Sequence, residues 1–166
     1  MKFFKNLSLT MLTLATICTA SIMTVAQPAL AGYKWVNARN GYVPSGAVEG
    51  GFDGEKLYVC SVGTNVGKLA PGHKTCYVAY GNRSFAYNRY QVLVADNWKW
   101  VPLTGDVPQG AVIGGKGTDG ENLYVCNAVV DGKWAPGKYQ VSHDVCYVAY
   151  GNKSVAAKNF NVVVVR

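Results

Sequence analysis

The chain has 166 residues, 49% of them hydrophobic and 15% charged, and a formal net charge of +7. That length supports one domain with a real core but hardly two independent ones. The lysines and arginines form no continuous strip, so neither nucleic acid nor an anionic lipid surface is an expected partner; the surplus suits solubility or attraction to an acidic surface such as a cell envelope.

The chain opens with Lys2 and Lys5, continues through a mostly apolar stretch from Leu7 to Val25, and reaches Gln27-Pro28-Ala29-Leu30-Ala31. A basic start, an apolar centre and a small-x-small end are what an export machinery and its peptidase read, so cleavage after Ala31 is expected. A retained membrane anchor is the competing reading, because the stretch approaches the span of a bilayer. Repeated threonines dilute its hydrophobicity, and no second such segment follows. The expectation is a secreted or periplasmic protein without stable membrane insertion.

From Gly32 onward the sequence repeats itself. Val43-Pro44-Ser45-Gly46-Ala47-Val48 returns as Val107-Pro108-Gln109-Gly110-Ala111-Val112. Asp53-Gly54-Glu55-Lys56-Leu57-Tyr58-Val59-Cys60 returns as Asp119-Gly120-Glu121-Asn122-Leu123-Tyr124-Val125-Cys126. Gly67-Lys68-Leu69-Ala70-Pro71-Gly72 matches Gly132-Lys133-Trp134-Ala135-Pro136-Gly137, and Cys76-Tyr77-Val78-Ala79-Tyr80-Gly81-Asn82 matches Cys146-Tyr147-Val148-Ala149-Tyr150-Gly151-Asn152. Duplication explains this, with copies spanning 32–97 and 98–166. The matches put the extra residues of the second copy between Gly115 and Asp119 and between Gly137 and Cys146.

Taken in chain order, the predicted strands are Tyr33 to Asn37, Ala47 to Gly50, Leu57 to Val62, Cys76 to Tyr80 and Tyr90 to Ala95. The second copy repeats them as Trp98 to Val101, Ala111 to Gly114, Leu123 to Val129, Cys146 to Tyr150 and Phe160 to Val165. Each run is short, rich in Val, Tyr, Leu or Phe, and bounded by Gly, Pro, Asn or Asp. Ser84 to Arg89 and Ser154 to Asn159 read as vaguely helical windows too short to matter. The expected class is all-β, a tandem-repeat β-sandwich-like unit with pseudo-two-fold symmetry. Strands could exchange between the copies, since about 65 residues are marginal for a separate core. An exposed β-edge could also pair two chains into a homodimer.

Cys60, Cys76, Cys126 and Cys146 remain after loss of the leader, an even set that suits an oxidising compartment. The repeat favours Cys60 with Cys76 and Cys126 with Cys146 on neighbouring strands. A crossed pairing between copies, or four buried thiols, stays open. Trp35 and Trp100 recur at equivalent positions and read as core packing.

Catalytic chemistry is poorly supplied. His73 and His143 are the only histidines, and no metal-ligand spacing, nucleophile elbow or phosphate loop is present, so neither enzymatic activity nor a cofactor is expected. Polar turn residues are more suggestive. Asp53, Asp119, Lys138, Asn82 and Asn152 lie in turns that a β-scaffold could hold rigid, and Trp134 or Tyr139 could cover the C–H face of a sugar ring. An ordinary exposed lysine at 138, and Asp-Gly carboxylates bonded to their own backbone, are the plainer alternatives.

The combined string of Val-Pro-x-Gly-Ala-Val, Leu-Tyr-Val-Cys, Ala-Pro-Gly-Lys, Cys-Tyr-Val-Ala-Tyr-Gly and Tyr90-Gln91-Val92-Leu93-Val94 resembles the DM9 repeat family over nearly all of residues 33–166. The resemblance implies a tandem-repeat β-sandwich protein, and it implies lectin function in some members, which bind mannose-type glycans. In those members an Asp after the Gly-rich strand and the Lys of the Pro-Gly-Lys segment contact sugar hydroxyls. Carried onto this chain, the lysine is Lys138, while the shortened loop of the first copy offers His73 or Lys74 instead. Gly117 stands where the second copy's acidic residue belongs, leaving Asp119 and Asp53 as candidates. Binding is therefore expected to be asymmetric and centred on the second copy. A structural or protein-interaction module without sugar binding is the alternative.

Overall fold

The structure, a computed structural model, describes residues 32–166; the leader segment at 1–31 lies outside the described residues. Among the described residues there are fourteen strands and a single 3-10 turn. The first half contributes β1 (Tyr33–Arg39), β2 (Glu49–Phe52), β3 (Lys56–Val62), β4 (Asn65–Ala70), β5 (Thr75–Tyr80), β6 (Arg83–Tyr87) and β7 (Arg89–Ala95). The second contributes β8 (Trp98–Pro102), β9 (Ile113–Lys116), β10 (Asn122–Val130), β11 (Lys133–Gln140), β12 (Val145–Tyr150), β13 (Lys153–Ala157) and β14 (Phe160–Val165).

Every predicted strand run is occupied by a strand or bridge, and four strands went unread. β6 and β13 occupy the windows read as weakly helical, where antiparallel pairing with β5 and β12 overrides local propensity. β4 and β11 were hidden because Pro-Gly and Gly-Lys read as turn chemistry. Pro136 sits inside β11 opposite Asn127, and β11 pairs with β12 only from Gly137 onward, so the missing N–H breaks no β12 ladder bond.

The expected pair of sheets is instead one continuous, curled half-barrel sheet. Its order is β1-β7-β3-β4-β5-β6-β13-β12-β11-β10-β14-β8, with β2 added against β3 and β9 against β10. The halves join through Lys153 opposite Arg83, helped by backbone bonds from Ser84 to Asn152 and from Ser154 to Asn82. Curling brings the inner faces of the two halves together. One core cluster combines Leu57 and Ala70 with Tyr139, Phe160 and Val162, and another combines Val59, Val66 and Leu93 with Val112, Val125 and Val163. Enclosing a Val or Leu side chain is worth roughly 1.5–3 kcal/mol, so either half alone would forfeit much of its stabilisation.

Two glycine contacts hold the halves close. A Cβ on Gly51 would lie 1.9 Å from the Trp134 carbonyl oxygen, and one on Gly115 would lie 1.9 Å from that of Thr64. Only glycine allows this backbone-to-backbone approach. Trp35, Trp98 and Trp100 are half-buried against the second cluster, at the edge of the core rather than inside it.

Disulfides join Cys60 to Cys76 and Cys126 to Cys146. The partners are not on adjacent strands: β4 lies between β3 and β5, and β11 between β10 and β12. Strands two apart in a flat sheet are separated by about 9.6 Å. Here the Cα atoms are 6.1 Å apart in both pairs, so each disulfide clamps the sheet where it curls.

Candidate functional site

Strand register revises how the two copies align. Lys68 on β4 stands opposite Val59 and Tyr77; Lys138 on β11 stands opposite Val125 and Tyr147. Lys68 is thus the counterpart of Lys138, and the six-residue match of 67–72 with 132–137 is out of register. The extra length lies not between Gly137 and Cys146 but at the tip of the β10–β11 hairpin, whose strands have 9 and 8 residues against 7 and 6 in β3 and β4. A signal was available: Lys68 precedes Cys76 by the same interval as Lys138 precedes Cys146.

Neither lysine is an exposed turn residue. Both retain only 8% of their accessible surface. Each points its ammonium towards a tyrosine of the other half: Lys68 Nζ lies 4.8 Å from the Tyr150 ring centroid, and Lys138 Nζ lies 5.5 Å from that of Tyr80. Burial pushes both ammonium groups below the ordinary lysine range. For Lys68 the Asp53 charge opposes that shift and the Lys133 charge adds to it.

The acidic partners differ. Phe52 opposite Lys56 and Lys116 opposite Asn122 make Asp53 the counterpart of Gly117. Asp53 lines a cavity of about 310 Å³ together with Lys68, His73, Tyr77, Tyr150 and Asn152. A Lys133 ammonium, 2.7 Å from its carboxylate, holds Asp53 below the usual carboxylate range. The Asp53 side chain remains 28% exposed, leaving it accessible to a ligand. His73 Nδ1 lies 3.2 Å from the Tyr77 hydroxyl, fixing the opposite wall.

Around Lys138 no carboxylate plays that part. Its ammonium donates to Asn65 Oδ1 at 2.5 Å. Asp119 accepts a bond from the Glu121 backbone N–H at 3.1 Å, so its carboxylate caps its own turn. Glu121 accepts from Ser142 and Gln140, which hold it below the usual carboxylate range. Among the remaining candidates, Asn152 lines the Lys68 cavity, the Asn82 carbonyl accepts from Ser154, and Tyr139 is buried in the core. Trp134 is 42% exposed near the extended hairpin tip.

Among the described residues no group of three or more His, Cys, Asp or Glu could hold a metal ion, and no helix is long and apolar enough to cross a membrane. The described residues form an all-β protein with a cavity lined by Asp53, Lys68, Tyr77 and Tyr150. The chain belongs to the DM9 repeat family, whose pattern matches residues 53–157. No curated protein matches it. The solved structure of the nematode sperm cell motility protein MFP2B is similar in fold, with a TM-score of 0.53 at 16% identity over 90% of this chain. The chain spans only 51% of that structure's length.

Proposed function

We propose that the protein is an exported, non-enzymatic carbohydrate-binding module of two DM9-like copies related by a pseudo-two-fold axis near the Arg83–Lys153 junction. The palindromic strand order supports the symmetry, and the two disulfides support a secreted or periplasmic location after removal of residues 1–31. The observation that carries the sugar reading is the Lys68 cavity. It combines a buried cationic donor, the Asp53 acceptor and the Tyr77 and Tyr150 rings in a volume suited to one or two sugar units. An ammonium and a carboxylate can clamp vicinal hydroxyls, while a tyrosine face covers the C–H side of the ring. Mannose-type glycans on a cell surface are the first ligands to test. The Lys138 side lacks such an acceptor, because Asp119 caps its own turn, and is not a second site in the native protein.

Titration calorimetry of the disulfide-bonded protein against methyl α-mannoside, beside an array of mannans, peptidoglycan fragments and bacterial polysaccharides, tests this. Binding that is lost in Lys68→Ala is expected. No binding across the panel overturns the reading and favours the alternative, a protein-interaction module. That alternative draws support from β1 and β8, which end the sheet among the described residues and could pair two copies.

A further inference from the structure

A second concave surface adjoins the Lys68 cavity. It is a groove of about 680 Å³ lined by Phe52, Trp98, Trp100 and Trp134, with Lys133 and Asn161 supplying polar groups. Phe52 is 59% exposed and Trp134 42%, which leaves a large apolar surface uncovered beside the cavity. Trp98 and Trp100 are better fixed. They meet edge-to-face at 6.4 Å, and the Trp100 indole N–H donates to the Glu49 carbonyl at 2.9 Å. Asn161 donates to Asn127, which donates in turn to the Gly50 carbonyl, so the groove floor is set by hydrogen bonds.

Groove and cavity share a rim. Lys133 lines the groove, and its ammonium is 2.7 Å from the cavity carboxylate of Asp53. Phe52 and Asp53 are chain neighbours on one side of that rim, as Trp134 and Lys133 are on the other. The positions that strand register matches to this aromatic set, on the opposite side of the molecule, are Lys116, Tyr33, Trp35 and Thr64. The rings therefore accumulate on the one side where the acidic residue is also present.

We infer that the groove is an extension of the binding site that takes a linear oligosaccharide. One unit sits in the Lys68 cavity, the chain crosses the Lys133–Asp53 pair, and the following units stack on Trp134, Phe52 and the Trp98–Trp100 corner. The chemistry favours a sugar polymer over a protein segment. Pyranose units present a flat C–H face to a ring and a hydroxyl rim to flanking ammonium and amide groups, and this groove alternates those features. The inference rests on the carbohydrate reading of the cavity and adds to it the length of the ligand.

The experiment compares methyl α-mannoside with α-1,6-mannopentaose, and N-acetylglucosamine with chitopentaose, by calorimetry and tryptophan fluorescence. A pentasaccharide should bind at least about tenfold tighter than its monosaccharide. It should also shift tryptophan emission where the monosaccharide does not. Trp134→Ala with Phe52→Ala should reduce pentasaccharide affinity to the monosaccharide level and leave the monosaccharide unchanged, whereas Trp134→Phe should keep most of the advantage. Both side chains are exposed, and an unchanged melting temperature checks that the variants fold. Equal affinity for short and long ligands overturns the groove while leaving the cavity standing. A chain-length advantage that survives both substitutions puts the chain elsewhere and overturns it too. Absence of binding to all four ligands removes the carbohydrate reading and the groove together.

Discussion

The surroundings of Lys68 and Lys138 show how one scaffold position can diverge. Both lysines are buried to the same 8% exposure, sit on a strand beneath a disulfide, and face a tyrosine of the opposite half. They differ in what stands across from them: Asp53 with Lys133 at one, Gly117 with Asn65 at the other. A buried ammonium with an amide partner is positioned but has no acceptor beside it for a hydroxyl. The lesson is that the shared geometry fixes where a donor goes, while two side chains on loop and hairpin tip decide whether it becomes a site.

The largest expected effect comes from removing the clamp under each lysine. Replacing Cys60 and Cys76 with alanine should cost about 3 kcal/mol, and replacing Cys126 and Cys146 about the same, because loop-closure entropy grows only slowly with length. Chemical denaturation of the two double variants measures both; a cost confined to one pair would break the equivalence of the two halves. Next comes Lys68→Ala, which should weaken sugar binding about 10- to 100-fold, the span of a charged hydrogen bond. Lys138→Ala should leave the Lys68 site within about threefold, since it removes no contact there. Parallel titrations separate them, and a larger loss in Lys138→Ala would move the centre of binding to the second half.

Gly117→Asp with Asp119→Asn supplies the missing acceptor. A Cβ at 117 would lie 2.7 Å from the Asp119 Oδ1, which is a movable side-chain atom, so the backbone can accept the change. Stoichiometry should rise from one ligand to two, with a new site weaker by about tenfold or less; unchanged stoichiometry would show that more than the carboxylate is lacking.

The smallest effect is in pH. Lys68 donates most strongly as the charged ammonium, and burial lowers its folded pKa below 10.5. Affinity should be full below that lowered value and weaken as pH rises through it, earlier than an exposed lysine would allow. Because the native state releases this proton before the unfolded chain does, stability rises with pH between the lowered value and 10.5. Asp53 behaves oppositely at the acid end. Its folded pKa lies below 3.8, so its charge-dependent contribution is present above 3.8 and is lost as pH falls through the lower folded value. Calorimetry across the alkaline limb should show weakened binding in the native protein before any loss of fold by circular dichroism.

By itself the sequence pointed to the all-β class, the repeated segments and most strand positions, and it favoured the disulfide pairs found over a crossed pairing. Alternating Val, Tyr and Leu runs, fixed turn residues and paired cysteines are local signals, and a repeat exposes them twice. It also flagged Asp53. What it could not determine was which Gly-Lys pair matches which, because a six-residue match outscored the correct register and concealed the four residues of net extension at the hairpin tip. Only the tertiary structure decided that Lys68 is a buried strand residue, that one sheet curls where two were expected, and that the β10–β11 extension carries Lys133 to Asp53 and Trp134 to the groove beside it. The physical reason is that these contacts join segments far apart in the chain, where curl, register and close glycine approach, not local propensity, set which side chains meet.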